Sequence, residues 1–335
     1  MSGTSESWWR RVGDPEKGFR YLKVGGGRLS SDSALARIHG LRIPPAWKNV
    51  HISPHADRKV QAWGEDDAGR KQYIYSEDHV RQRDRRKWKR VLRLGGALPR
   101  LRTRVNEDLE GSGLDRETVL ALVVRFIDQG WFRVGSERYA IENRTYGIAT
   151  LKKSQLEITD GMLIFTYRGK GRKDMRRVVV DERAIELIGR LLELPGARLF
   201  QYPNSSGRPH RIRAEAVNDY IKEAAGRSYT SKDLRTFGAT VRAATILADM
   251  GPPGSETEAE KNVLTCCRLV SQELGNTREI CRTAYIHPAV LDEYITGGRT
   301  IDVAGKVQPR AVRARPSELL SPEEEATIRF LRDFG

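Results

Sequence analysis

Apolar positions are short-spaced and irregular over the first 75 residues and settle into helical spacing only beyond residue 114. In the early part, Val50, Ile52, the stretch 59–63 and the stretch 72–75 predict short strands. Turn formers separate them, notably Ser53-Pro54 and Asp67-Ala68-Gly69. Residues 1–75 are therefore expected to form a small, mostly β domain. From 76 to 105 the pattern turns cationic: Arg81, Arg83, Arg85, Arg86, Lys87, Lys89, Arg90, Arg93, Arg100, Arg102 and Arg104 face only Glu77, Asp78 and Asp84. Such a run predicts a basic helical connector between two domains.

Beyond Leu114, an N-cap at Asp115 opens a core helix carrying Val119, Leu120, Val123, Val124, Phe126 and Ile127, which breaks at Gly130. A different rhythm follows. Residues 156–159, the turn Asp160-Gly161, residues 162–167, a glycine-flanked turn over 169–174 and residues 175–180 predict a three-stranded antiparallel meander. Helical spacing returns over 181–192, 214–225, 231–249, 259–274 and 277–286, the last closed by Pro288. Residues 251–260 and those after Thr296 read as loose. The expected class is α+β: a β domain, the connector, a larger mainly α domain over 106–300 with the small sheet embedded in it, and a tail over 301–335 with a short helix.

The length of 335 residues suits two domains. Hydrophobic residues make up 39% and charged residues 31%, with no apolar run long enough for a membrane helix, so the reading is a soluble chain with no membrane partner. Lys and Arg number 59 against 44 Asp and Glu, a net charge of +15, which suits a polyanionic partner. Cys266, Cys267 and Cys281 cannot pair evenly and lack the spacing of a metal knuckle, which favours a reducing compartment. The first eleven residues lack the apolar core of a secretory signal, so a cytoplasmic location is expected.

No nucleotide-binding loop of the G-x-x-x-x-G-K-[ST] type occurs, nor H-E-x-x-H or paired Cys-x-x-Cys. Gly25-Gly26-Gly27 has no strand and helix around it and reads as a turn. These patterns leave metal and nucleotide chemistry without support. Cations able to hold a phosphodiester become the candidates.

Four strings carry them: Phe132-Arg133-Val134-Gly135-Ser136-Glu137-Arg138-Tyr139; Tyr167-Arg168-Gly169-Lys170; Ser231-Lys232-Asp233-Leu234-Arg235-Thr236-Phe237-Gly238; and Leu274-Gly275-Asn276-Thr277, with Ala284-Tyr285 following. In this order they resemble the type IB DNA topoisomerases, especially the small poxviral and bacterial branch. Ile43-Pro44-Pro45-Ala46-Trp47 and Gly69-Arg70-Lys71-Gln72-Tyr73 resemble that branch's N-terminal β domain. The resemblance implies an active site of Arg133, Lys170, Arg235, Asn276 and Tyr285 with Lys232 as an accessory cation. It also implies a two-domain clamp around double-stranded DNA, a 3′-phosphotyrosyl intermediate, controlled swivelling, and no ATP or metal. A monomer associated with the nucleoid is expected.

Each residue type suits its place. Charge that builds on nonbridging phosphate oxygens is matched by forked guanidinium groups such as Arg133 and Arg235. Arg235 is expected in the first turn of a helix capped by Ser231, where the dipole adds positive potential. Lys170, on a turn between two glycines, can protonate a departing 5′-oxygen. Asn276 departs from the histidine that many family members have. Its amide can donate a hydrogen bond but cannot transfer a proton, and it also reads as an N-cap for the helix from Thr277. Tyr285 is the expected nucleophile.

For groove contact, the resemblance implies Gln72, Tyr73 and Tyr75 on a strand and Arg138 and Tyr139 on a helix starting at Gly135, with Gln and Arg able to read base edges. Arg81, Arg83, Arg168 and Arg172 are expected on phosphates. Two other classes share parts of the pattern. A tyrosine recombinase would need a helical N-terminal domain and a His-x-x-Arg string, and a basic packaging protein would not need Gly169-Lys170 or Lys232-Asp233-Leu234-Arg235.

Overall fold

Alternation of side chains builds the first sheet, although arginines disguise it. In β1 (Trp9–Asp14) and β2 (Gly18–Leu22), Trp9 and Tyr21 pack inward while Arg10 and Arg20 point to solvent. The apolar density is therefore too low to signal a strand, and the sequence reading had none before Val50. A computed structural model of the chain describes residues 7–226, 229–303 and 319–334. It forms two compact units, Met1–Lys87 and Trp88–Gly335.

The first unit continues with α1 (Asp32–Gly40), β3 (Lys48–Ile52), β4 (Val60–Glu65) and β5 (Lys71–Tyr75), and the antiparallel sheet runs β2-β1-β3-β4-β5. Helix α1 was not expected either. Ile38 from α1 and Val50, Ile52 and Ala62 from the sheet form its core with Leu29. Arg11 fastens β1 to the neighbouring loop, its guanidinium donating to the carbonyls of Pro44 (3.1 Å) and Trp47 (2.6 Å).

The basic run forms the start of α2 (Glu77–Glu110), which continues five residues past the expected end because Val91, Leu94, Leu98, Leu101, Val105 and Leu109 keep a buried stripe at three- and four-residue spacing. Helix α3 (Arg116–Gly130) starts where expected, with the Asp115 carboxylate accepting from the Thr118 amide at 2.8 Å. Next come α4 (Glu137–Glu142) and the expected meander, β6 (Leu156–Thr159), β7 (Met162–Arg168) and β8 (Asp174–Val179), paired in that order. Helix α5 (Glu182–Glu193) leads to a hairpin of β9 (Gln201–Pro203) and β10 (Pro209–Arg211), too short to have shown in the pattern.

The remaining helices are α6 (Ala214–Ala225), α7 (Ser231–Met250), α8 (Glu256–Leu274), α9 (Arg278–Ala284), α10 (Pro288–Gly297) and α11 (Pro322–Arg332). Three boundaries differ from expectation. Thr230, not Ser231, caps α7, because its side chain and the Asp233 carboxylate form a reciprocal capping box. Helix α8 starts at Glu256, so part of the segment expected to be loose is helical. Pro288 stands at the first position of α10, where a missing N–H costs nothing, so it starts a helix as well as stopping one. Of the expected tail, residues 304–318 lie outside the described residues, and α11 supplies a short helix.

Two apolar clusters form the larger unit's interior. One gathers α2, α3, the meander, α5 and α6, and the other gathers α8, α9 and α10. Helix α7 serves both, with Leu234, Phe237 and Val241 in the first and Ala239, Ala243 and Leu247 in the second. Helix α11 locks onto this frame: Arg102 donates to Asp128 (2.7 Å) and Glu324 (2.7 and 2.8 Å), and Ile328 packs where a side chain on Gly95 would stand. Among the described residues no helix is long and apolar enough to cross a membrane.

Candidate active site

Two arginines from distant parts of the chain meet at one turn. Arg133 follows α3, which ends at Trp131 in a left-handed conformation. The segment at Arg133 is held by a short helical turn over 148–150. The Ile148 amide donates to the Arg133 carbonyl (2.7 Å) and the Ala149 amide to that of Val134 (2.9 Å). That approach requires Gly147, since a Cβ there would lie 2.4 Å from the Arg133 carbonyl oxygen.

The Arg133 guanidinium donates to the Gly275 carbonyl (3.2 Å) and to Oδ1 of Asn276. Arg235, only 3% exposed, donates to the adjacent Leu274 carbonyl at 3.0 Å. It is the fifth residue of α7, just beyond the first turn where it was expected. Gly275 ends α8 at φ +67°, and a Cβ there would meet the Met175 sulfur at 2.7 Å, so both its handedness and its closeness to β8 call for glycine. The Arg235 guanidinium carbon lies 5.8 Å from the centre of the Tyr285 ring.

Tyr285 is the half-buried residue at the C-terminal end of α9, with its amide donating to the Cys281 carbonyl at 3.0 Å. Its carbonyl is held from α7: Thr240 Oγ1 lies 3.2 Å from it, 2.9 Å from the Thr236 carbonyl, and accepts from the His287 amide at 3.1 Å. The His287 ring packs edge-on against Trp88, 5.0 Å between centres. Tyr294, on α10, is fully buried, accepts from Asn262 Nδ2 (2.8 Å) and donates to the Gly251 carbonyl (2.8 Å). It is a satisfied core tyrosine.

Burial lowers the pKa of both Arg133 and Arg235, and their mutual repulsion lowers that of Arg235 further, while Tyr285 acts in the opposite direction on both. Guanidinium groups remain protonated through such shifts. Burial also raises the Tyr167 phenol, against the pull of Arg177, and pushes the Cys281 thiol up to about 11. Asn276 contributes Oδ1 to Arg133, while its buried Nδ2 makes no geometrically good hydrogen bond among the described residues and faces the Cys281 thiol, whose pKa it pulls down against the effect of burial. The cap of α9 is Thr277, whose hydroxyl accepts from the Ile280 amide at 3.3 Å, so Asn276 is not the N-cap that its position suggested.

The two lysines are placed differently. Lys170 is exposed on a tight turn over 170–172 between Gly169 and Gly171, and among the described residues its ammonium has no ion-pair partner. From the same hairpin it is Lys173 that reaches the site, donating to the Asn276 carbonyl. Lys232 is exposed on the first turn of α7, beside a buried Asp233 that Arg90 holds at 2.8 Å. The structure thus brings Arg133, Arg235, Asn276 and Tyr285 together and leaves Lys170 and Lys232 facing outward.

Among the residues expected to touch a duplex, Arg138 and Tyr139 are exposed on α4, which starts at Glu137 instead of Gly135, and Arg138 pairs with Glu142 at 3.0 Å. Arg168 lies 3.7 Å from Asp174, and Arg172 is exposed at φ +59°. In the first unit, the ladder sets Tyr73 opposite Trp63 and Gln72 opposite Gly64. Tyr73 and Tyr75 therefore share one face and Gln72 belongs to the other, where its amide donates to Asp66 at 2.9 Å. Arg81 bonds Asp78 (2.6 Å) and Arg83 approaches Asp84 (3.4 Å), all on solvent-exposed turns of α2. Thr240, Lys173 and Arg177 are site neighbours that the motif strings did not single out.

Residues 70–302 match the family model of the eukaryotic DNA topoisomerase I catalytic core, and residues 18–66 match that of the bacterial DNA topoisomerase IB N-terminal domain. The DNA topoisomerase 1B of Acanthamoeba polyphaga mimivirus is 30% identical over 267 residues, covering 78% of this chain and 80% of the viral one. The DNA topoisomerase 1B of Vaccinia virus (strain Copenhagen) is 25% identical over 252 residues, covering 72% and 74%. Among solved structures, the XerH site-specific recombinase bound to a palindromic difH substrate aligns with a TM-score of 0.36 at 15% identity, over 59% of this chain and 51% of the recombinase. The chain spans about half the length of that structure. It belongs to the DNA topoisomerase I family, in the type IB branch, and is an isomerase.

Proposed function

We propose that this enzyme relaxes supercoiled duplex DNA with Tyr285 as its nucleophile. The phenol oxygen attacks a backbone phosphorus, a Tyr285–phosphate bond forms at the 3′ side, and the bond to the 5′-oxygen breaks. Arg133 and Arg235 donate to the nonbridging oxygens as charge builds on them, Asn276 adds an amide N–H, and Lys170 protonates the departing 5′-oxygen. The free end swivels. The 5′-hydroxyl then returns to the phosphorus and releases Tyr285, so the diester energy is kept and neither ATP nor a metal ion is consumed.

The observation that carries this reading is the convergence of Arg133 and Arg235 on the turn at Leu274 to Asn276, with the Arg235 guanidinium beside the Tyr285 ring. In the same proposal the two units close as a clamp around the duplex. Tyr73, Tyr75, Arg138 and Tyr139 meet the groove, Gln72 on the other sheet face supports the strand through Asp66, and Arg81, Arg83, Arg168, Arg172 and Lys232 meet phosphates. The protein acts as a monomer on the nucleoid in the cytoplasm. Purified protein is expected to relax plasmids of either supercoil sign in EDTA without nucleotide. Tyr285→Phe keeps the ring and its packing, so it should bind duplex, form no covalent adduct and relax nothing. Relaxation by Tyr285→Phe, or wild-type protein that only joins paired sites without changing linking number, would overturn the proposal.

A further inference from the structure

The meander contains an arginine where its pattern calls for an apolar residue. Along β8, Met175 and Val179 are buried, and the ladder sets Met175 opposite Tyr167, Arg177 opposite Phe165 and Val179 opposite Leu163. Side chains two apart share a face, so Arg177 stands on the inward face between two core residues. Three other partly buried arginines of this unit are neutralised: Arg102 by Asp128 and Glu324, Arg125 by Asp181, Arg242 by Glu273. Arg177 has no carboxylate partner among the described residues. Its guanidinium faces the Tyr167 hydroxyl closely enough to oppose the rise in that phenol's pKa, and its Nε is buried without a hydrogen-bond partner among the described residues.

This side chain points into a narrow cleft that it lines with Arg133, Arg235, Tyr167, Gly169 and Met175, and among the described residues no Asp or Glu lines that cleft. Three guanidinium groups without a counter-charge repel one another. The charge of Arg177 disfavours the protonated forms of both Arg133 and Arg235. An unpaired buried cation is costly, and an anion seated among the three would relieve the cost for all of them. The arrangement is therefore built for a ligand with more negative charge than two arginines neutralise, which describes a phosphate passing through a five-coordinate transition state.

We infer that Arg177 is a third phosphate-binding guanidinium of this site, oriented by the Tyr167 hydroxyl and engaging the scissile phosphate together with Arg133 and Arg235. This rests on the reading of the site as the place of strand cleavage.

Arg177→Leu supplies the apolar side chain that the face would otherwise carry, and it gives the test a sign. Single-turnover cleavage of a short duplex by the full chain should slow by on the order of 10²-fold at saturating enzyme, as for loss of one charge-stabilising donor. The melting temperature should hold or rise, because a buried unpaired charge is removed. Sulfate should raise the melting temperature of the wild type and do so less in Arg177→Leu. Arg177→Lys should recover part of the cleavage rate, and Tyr167→Phe should lose a smaller part. Cleavage by Arg177→Leu at the wild-type rate would overturn the inference, as would slow cleavage together with a lowered melting temperature and unchanged sulfate stabilisation, the mark of a packing role. Tyr285→Phe run in parallel separates the two ideas. A covalent adduct persisting in that variant defeats the reading of the site, whereas the sulfate comparison between wild type and Arg177→Leu judges Arg177 alone.

Discussion

Replacing Thr240 by Val deletes one hydroxyl from the interior of α7 and nearly preserves shape. That hydroxyl is fully buried, accepts from the His287 amide at 3.1 Å and lies within 3.2 Å of the Tyr285 carbonyl. Its loss leaves the His287 N–H without its acceptor and removes from the Tyr285 carbonyl a proton that it shares with the Thr236 carbonyl. A buried group left unsatisfied costs about 1–3 kcal/mol. The cost falls on the turn between α9 and α10, which sets where the Tyr285 phenol stands, so the expected response is a local shift of that turn. If the correct placement loses about 1–3 kcal/mol, cleavage slows by about 5- to 150-fold at roughly 1.4 kcal/mol per factor of ten. Duplex affinity should not change, since Thr240 faces no solvent. The assay is single-turnover covalent adduct formation with excess enzyme, beside a binding titration on the same duplex. Thr240→Ser, which restores the hydroxyl, should recover most of the rate. A Val variant that cleaves at the wild-type rate, or a Ser variant as slow as Val, would refute the reasoning.

Lys170→Ala should slow cleavage by on the order of 10² to 10⁴, and a substrate with a 5′-bridging sulfur, whose leaving group needs no proton, should restore it. Lys173→Ala should leave that sulfur effect intact, because Lys173 bonds a backbone carbonyl instead. Asn276→His keeps a donor and should retain most activity, whereas Asn276→Ala should lose about 1.5–3 kcal/mol of transition-state stabilisation, read as kcat on plasmid. Burial raises the Cys281 thiol from 9.0 to about 11, so the folded state holds that proton more tightly than the unfolded chain. The stabilisation is complete below pH 9 and is lost as pH climbs toward 11. Thermal melts of Cys281→Ala should therefore decline less steeply across that window than those of the wild type.

Much of the larger unit could be read from the chain because its signals are local. The Asp115 cap, the Asp160-Gly161 turn and the alternation from Leu156 to Val179 each determine an element without help from distant residues. The first unit resisted for the opposite reason. Arg10, Arg11 and Arg20 interrupt β1 and β2, and only pairing with β3 makes Trp9 and Tyr21 a buried face. At Pro288 the pattern could not separate a stop from a start, since proline suits the residue after one helix and the first position of the next.

The site divides along the same line. Arg133, Arg235, Asn276 and Tyr285 could be named from their strings, and they stand together. The outward turn of Lys170 depends on the hairpin's three-dimensional course, and the separation of Gln72 from Tyr73 depends on strand register. Arg177 lies outside every string that was singled out. The alternation Met175, Arg177, Val179 carried the missing hint, because it sets a charge on a face otherwise apolar.

The cysteines have a use apart from chemistry. Cys266, Cys267 and Cys281 all lie in the apolar cluster behind Tyr285, free and buried, with Cys281 one helical turn ahead of the tyrosine on α9. Held as thiols and shielded, they stay silent toward a labelling reagent until that part of the molecule opens. Each alkylation is then a time stamp of α9 breathing. With substitution at the other two, the pace of labelling at Cys281 becomes a clock for how often the nucleophile leaves its place, legible with a mass spectrometer and no engineered probe.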